Sequence, residues 1–132
     1  MDHLLTPFKY LWAFPTTAVG LLFAMVALAS GGRGQVHSGV YEVSGGAITV
    51  FLQRYTLLPS GAAAITFGHV VLGQDATCLE RTRAHERVHV RQAERWGPFF
   101  LPAYMVASLV AKWRGGDAYR DNAFEREAFA MS

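Results

Sequence analysis

His85-Glu86-Arg87-Val88-His89 is the segment whose residue types and spacing carry chemistry. On a helix, side chains four apart project from one face, so the two imidazoles can share one metal ion. Glu86 stands one step round the helix. From there a carboxylate can take a proton from metal-bound water without being a ligand itself. At this chain's own residue frequencies the pattern arises by chance in about one sequence per hundred. The context therefore has to be helical for the motif to count. It is: residues 76–96 contain no Pro or Gly, Asp75 is placed to cap the start, and Gly97-Pro98 is a stop signal. Leu79, Thr82, Ala93 and Trp96 extend the His face above and below, while Arg81, Arg91, Glu94 and Arg95 form a solvated face with helix-spaced ion pairs. Two inward imidazoles need a partner, and a metal supplies one.

Two His ligands leave a tetrahedral zinc one protein ligand short, with its last position for water. Glu125 and Glu127, in Asn122-Ala123-Phe124-Glu125-Arg126-Glu127-Ala128, are the clustered candidates downstream. Glu125 has a competing use, since Asn122 followed three residues later by Glu is also a capping-box pattern. A His-Glu-x-x-His helix followed by a helix reading Glu-x-x-Ala resembles the gluzincins, the zinc peptidases whose third ligand is a Glu on a later helix. The resemblance covers residues 61–128 and implies Zn²⁺ held by His85, His89 and Glu125, Glu86 as general base, and a peptide or protein substrate. It also implies an edge strand, here Ala63–Leu72, to which an extended peptide adds. The chain departs from the group at Phe129, where Asp or Asn often follows the Ala. An oxyanion donor is also required, and Tyr104 and Tyr119 are candidates that spacing does not separate.

The elements that must position these residues begin with an uncharged run, Leu11–Ser30. About 20 such residues can cross a hydrocarbon core of roughly 30 Å. Tyr10 and Trp12 sit where interfacial aromatics are expected, and Lys9 and Arg33 flank the run. A retained membrane anchor is the favoured reading. Signal-peptidase cleavage after Ala27-Leu28-Ala29, giving a secreted domain, is the alternative. A buried helix of a soluble protein is the third option, opposed by the lack of a polar face. The flanking charges do not fix an orientation. This divides the chain into a membrane segment, 1–32, and a metal-binding domain, 33–132. Residues 33–39 read as a loop. Val40–Val43, Ala47–Leu52 and Ala63–Leu72 read as three strands of a small antiparallel sheet, separated by turn signals at Ser44-Gly45-Gly46 and Pro59-Ser60-Gly61. His69 in the third run reads as a half-buried polar residue, and Cys78 as a small apolar one.

Pro98–Ala111 is a second uncharged stretch, about 21 Å long as a helix and short for a span. If it crossed a bilayer, the His pair and Glu125 would lie on opposite sides. The metal reading therefore requires it to be a core or interfacial helix.

With 132 residues, 52% of them hydrophobic, 17% charged, and a net charge of +2, the chain allows one modest core. No basic stripe or nucleic-acid motif appears, so a nucleic-acid partner is not expected. The expected class is α+β: an N-terminal hydrophobic helix, a small sheet, the site helix and C-terminal helices. The expected function is a membrane-associated zinc metallopeptidase. The competing expectation is a metal-stabilised membrane domain without hydrolytic activity.

Overall fold

The computed structural model describes residues 2–54 and 63–132. The turn signal at 59–61 lies outside them. The fold is α+β, as the sequence suggests. It runs α1 (Asp2–Ala29), β1 (Arg33–His37), β2 (Val40–Ser44), α2 (Ala47–Arg54), β3 (Ala64–Phe67), β4 (Val70–Gly73), α3 (Ala76–Trp96), a single 3₁₀ turn at Gly97–Phe99, α4 (Phe100–Trp113) and α5 (Ala123–Met131).

The sheet has the order β1-β2-β4-β3. It is mixed rather than antiparallel, because β2 and β4 pair in parallel with Tyr41 opposite Val70. Both hairpins turn on two residues. Ser38 and Gly39 have φ of 51° and 80°, the two positive values a type I′ turn demands. Gly68 opens the β3–β4 turn at φ 64°, which suits a glycine-first turn and breaks the expected single strand Ala63–Leu72 in two.

Two further expectations are corrected. Residues 33–39 are not a loop: Arg33–His37 form β1 against β2. All five residues are exposed, so the strand exists by pairing with β2 and leaves no hydrophobic pattern to read. Ala47–Leu52 is not a strand but the start of helix α2, which buries Ile48 and Leu52 at helical spacing. Its apolar residues satisfy either period. The start is decided locally by Gly45 and Gly46 at positive φ and by the Ala47 N–H donating to Ser30 Oγ at 2.8 Å.

Strand alternation gives the sheet two covered faces. Val43, Val70 and Leu72 pack with Ala24 and Ala27 of α1 and Ile48 and Leu52 of α2, joined by Phe23, Phe51 and Phe67. Val40 and Val71 point the other way, onto Leu79 and Val90 of α3. Helix α1 is thus one outer layer of the fold. Its buried stripe, Ala13, Thr16, Gly20, Ala24 and Ala27, is built of small residues. A Cβ on Gly20 would stand 2.7 Å from the Cβ of Val70, so the helix backbone rests almost on the hairpin.

A charged cluster ties the sheet to α3. Glu42, 1% exposed, accepts both fork nitrogens of Arg83 at 3.0 and 2.9 Å and Arg87 at 2.9 Å. Those arginines are spaced four apart on the α3 face turned towards β2.

Candidate metal centre

Helix α3 begins at the expected cap: the Asp75 carboxylate accepts the Cys78 N–H at 2.7 Å. It ends at Gly97, with φ 58°, whose N–H returns to Ala93 O. Of the residues expected to face inwards, Leu79 and Ala93 are buried but Trp96 is 42% exposed. Between these ends His85 and His89 project together, ring centroids 5.1 Å apart.

Helix α5 brings the third group. Asn122 caps it, accepting the Phe124 N–H at 2.8 Å. Its own amide donates to Ser108 Oγ and Tyr104 O on α4, fixing α5 against that helix. With Asn122 as cap, the Glu125 carboxylate is turned to the histidines instead of back to the helix start. Its Oε1 lies 2.9 Å from Nε2 of both His85 and His89, and its Oε2 accepts the Tyr104 hydroxyl proton. Glu127 points elsewhere, to Gln92 at 2.8 Å. Among the described residues, His85, His89 and Glu125 form the one group of three metal-ligating side chains, their ligand atoms all within 4.8 Å of one another.

Gln92 explains how His89 is held. Its Nε2 faces two acceptors, Phe124 O at 3.0 Å and Glu127 Oε1 at 2.8 Å. The amide oxygen must therefore be the atom 2.8 Å from His89 Nδ1. A carbonyl oxygen only accepts, so Nδ1 carries the proton. In neutral His89 the Nε2 lone pair is then left facing Glu125, the tautomer a metal needs. Without a metal, Nε2 must also be protonated to meet Glu125. Burial opposes that charge, but the Glu125 hydrogen bond and the nearby Glu86 outweigh it and raise His89 to about 9. Glu125 moves in the complementary sense. Burial pushes it up, and the hydrogen bonds from His85 and His89 bring it down to about 2.

Two imidazole nitrogens and a carboxylate oxygen form a donor set that zinc takes. Ligand atoms around a tetrahedral zinc stand about 3.3 Å apart, so the two 2.9 Å spacings to Glu125 need to open by a few tenths of an ångström, and the His85–His89 spacing, within 4.8 Å, has to settle to the same value. The residues fit the ion.

Glu86 is buried beside this trio. Its Oε2 accepts the Thr66 hydroxyl of β3 at 2.6 Å. Burial pushes its carboxyl above the usual range, against the pull of His89 and of the Thr66 hydrogen bond. Phe129, where the resembled group often has Asp or Asn, puts its ring 4.5 Å from that of His85. Tyr119 packs its ring on Phe129 at 5.9 Å. His69 is buried away from the trio, bonded to Glu94 at 2.8 Å and stacked on Tyr10 at 4.0 Å.

The sequence reading missed Gln92 and Thr66. Gln92 had a signal, lying three residues after His89 on the same helix face. Thr66 had none, because its contact depends on where β3 lies.

No family model matches the chain, and no curated protein or solved structure matches it. The functional reading rests on the geometry of the site.

Proposed function

We propose that the chain is a membrane-associated zinc metallopeptidase of gluzincin type. The observation that carries the reading is the convergence of His85, His89 and Glu125 from two helices, with Gln92 presetting the His89 tautomer and Glu86 buried alongside. Bound zinc would lower the pKa of its water towards 7 and polarise the scissile carbonyl. Glu86, raised by burial, takes the proton from the attacking water and returns it to the leaving amine. Thr66 orients that carboxylate, and Tyr104 holds Glu125 through the oxygen turned away from the histidines. Strand β3 is a sheet edge that touches Glu86 through Thr66, so an extended peptide adding to it would lie beside the site. Membrane attachment in this reading falls to α1, whose stretch 7–29 contains an 18-residue window with a mean hydropathy of 1.9.

One observation favours a second reading, a metal-stabilised domain without hydrolytic activity: Glu86 is already engaged by a 2.6 Å hydrogen bond. Cleavage of a casein or peptide-library substrate by zinc-loaded Glu86→Gln separates the two. We expect metal content and fold to be kept and hydrolysis to fall by at least about a hundredfold. Wild-type protein that holds zinc yet cleaves nothing supports the second reading.

A further inference from the structure

Helix α1 has the length and hydropathy of a membrane span, a 23-residue stretch holding an 18-residue window of mean hydropathy 1.9, but its packing is not that of a free anchor. Contacts to the rest of the fold run along it from Tyr10 to Ala27. Near its start the Tyr10 hydroxyl donates to Gly39 O at 2.5 Å, in the β1–β2 turn. In the middle Thr17 Oγ1 accepts the His69 N–H at 3.0 Å, and Gly20 rests on Val70 and Phe67. At the end Ala24 and Ala27 pack with Ile48 and Leu52 of α2. A crossing α1 would therefore carry the sheet into the hydrocarbon with it. That includes β1, an edge strand bearing exposed Arg33, Gln35 and His37. An open strand edge has no place in lipid.

The outward face of α1 is as apolar as its length suggests. Leu11, Phe14, Leu22 and Met25 are 54–73% exposed. Helix α4 presents a second such face, with Met105, Val106, Leu109 and Trp113 58–86% exposed. The two faces meet where Trp12 packs on Phe99, ring centroids 6.2 Å apart. Trp12 is pinned there by its indole N–H donating to Arg95 O at 3.1 Å. Cations border the apolar parts of both helices: Lys9 and Arg33 on either side of the uncharged run 11–30, Lys112 and Arg114 at the close of α4. That arrangement suits phosphate headgroups around an apolar patch.

We propose that α1 lies in the plane of the membrane instead of across it, and that its outer face and that of α4 sink together into one leaflet. The occupant of this surface is lipid. This builds on the membrane association proposed above but does not depend on zinc or on catalysis.

The test uses the full chain in a Cys78→Ser background, with single cysteines at Lys9→Cys or Arg33→Cys, which bracket the uncharged run 11–30. In right-side-out and inverted vesicles from expressing cells, a membrane-impermeant maleimide should label both positions from the same side. Labelling from opposite sides would overturn the in-plane arrangement while leaving membrane attachment standing. A second measurement is flotation with phosphatidylcholine–phosphatidylglycerol vesicles. Met105→Asp combined with Leu109→Asp alters only exposed positions, so the circular dichroism should not change, and vesicle partitioning should fall at least tenfold. Unchanged partitioning would remove α4 from the surface. A wild-type chain that does not float at all would sink both this inference and the membrane attachment beneath it.

Discussion

At the scale of single residues, the centre depends on groups that never touch the metal position. Gln92 donates nothing to an ion, yet it decides which His89 nitrogen is free. Replacing it with Ala should keep all three ligands and cost about 10- to 100-fold in zinc affinity, read by competition with a chromophoric chelator. Affinity unchanged within about twofold would show that the tautomer is set by something else. The legibility of the site follows the distance between its parts. His85, Glu86 and His89 are local in sequence, and helix geometry alone makes them a unit. Glu125 was reachable only through the Glu-x-x-Ala resemblance, since the residue types left Glu127 and the capping box open. What separates the two carboxylates is three-dimensional: Asn122 does the capping, and Glu127 is drawn to the Gln92 amide. Thr66 comes from a strand 20 residues before Glu86, and no local pattern reports that contact.

At the scale of elements, helix α3 is held from both sides, by the metal-site face against α5 and by the arginine face against β2. Glu42 is the key to the second contact. Glu42→Ala would leave Arg83 and Arg87 without their acceptor. It should destabilise by about 3–5 kcal/mol in urea unfolding at neutral pH. The same pair sets a pH dependence. Burial works against the Glu42 charge, but the hydrogen bonds from Arg83 and Arg87 prevail and hold its carboxyl below the ordinary carboxylate value of 4.5. A group depressed in the folded state stabilises fully above its unfolded value. Its contribution should therefore be complete above about pH 4.5 and fade as the pH falls through the lower folded value. An acid-unfolding midpoint that is the same in wild type and Glu42→Gln would contradict this. Elements were legible where pattern was strong and ends were capped, as in α3. They were not where the apolar period was ambiguous, as in α2, or where a polar strand such as β1 is made only by its neighbour.

At the scale of the whole molecule, α1 is a layer of the fold and not an appendage. Reading Leu11–Ser30 as an apolar helix was within reach of composition. That it covers the sheet was not, because the signal is a stripe of small residues whose purpose appears only once Val70 and Phe67 are placed beneath it. Gly20→Leu should push α1 from the hairpin and lower stability by about 1–3 kcal/mol, seen as a fall in Tm. An unchanged Tm would mean that the helix is not seated there. The central claim concerns how α3 and α5 are joined through one ion, and metal content tests it most directly. Purified wild type, His85→Ala and Glu125→Ala would be compared by elemental analysis after dialysis against zinc-buffered solution. The account predicts about one zinc per chain in the wild type and its loss in both variants. Zinc retained by Glu125→Ala, or no zinc in the wild type, would contradict it.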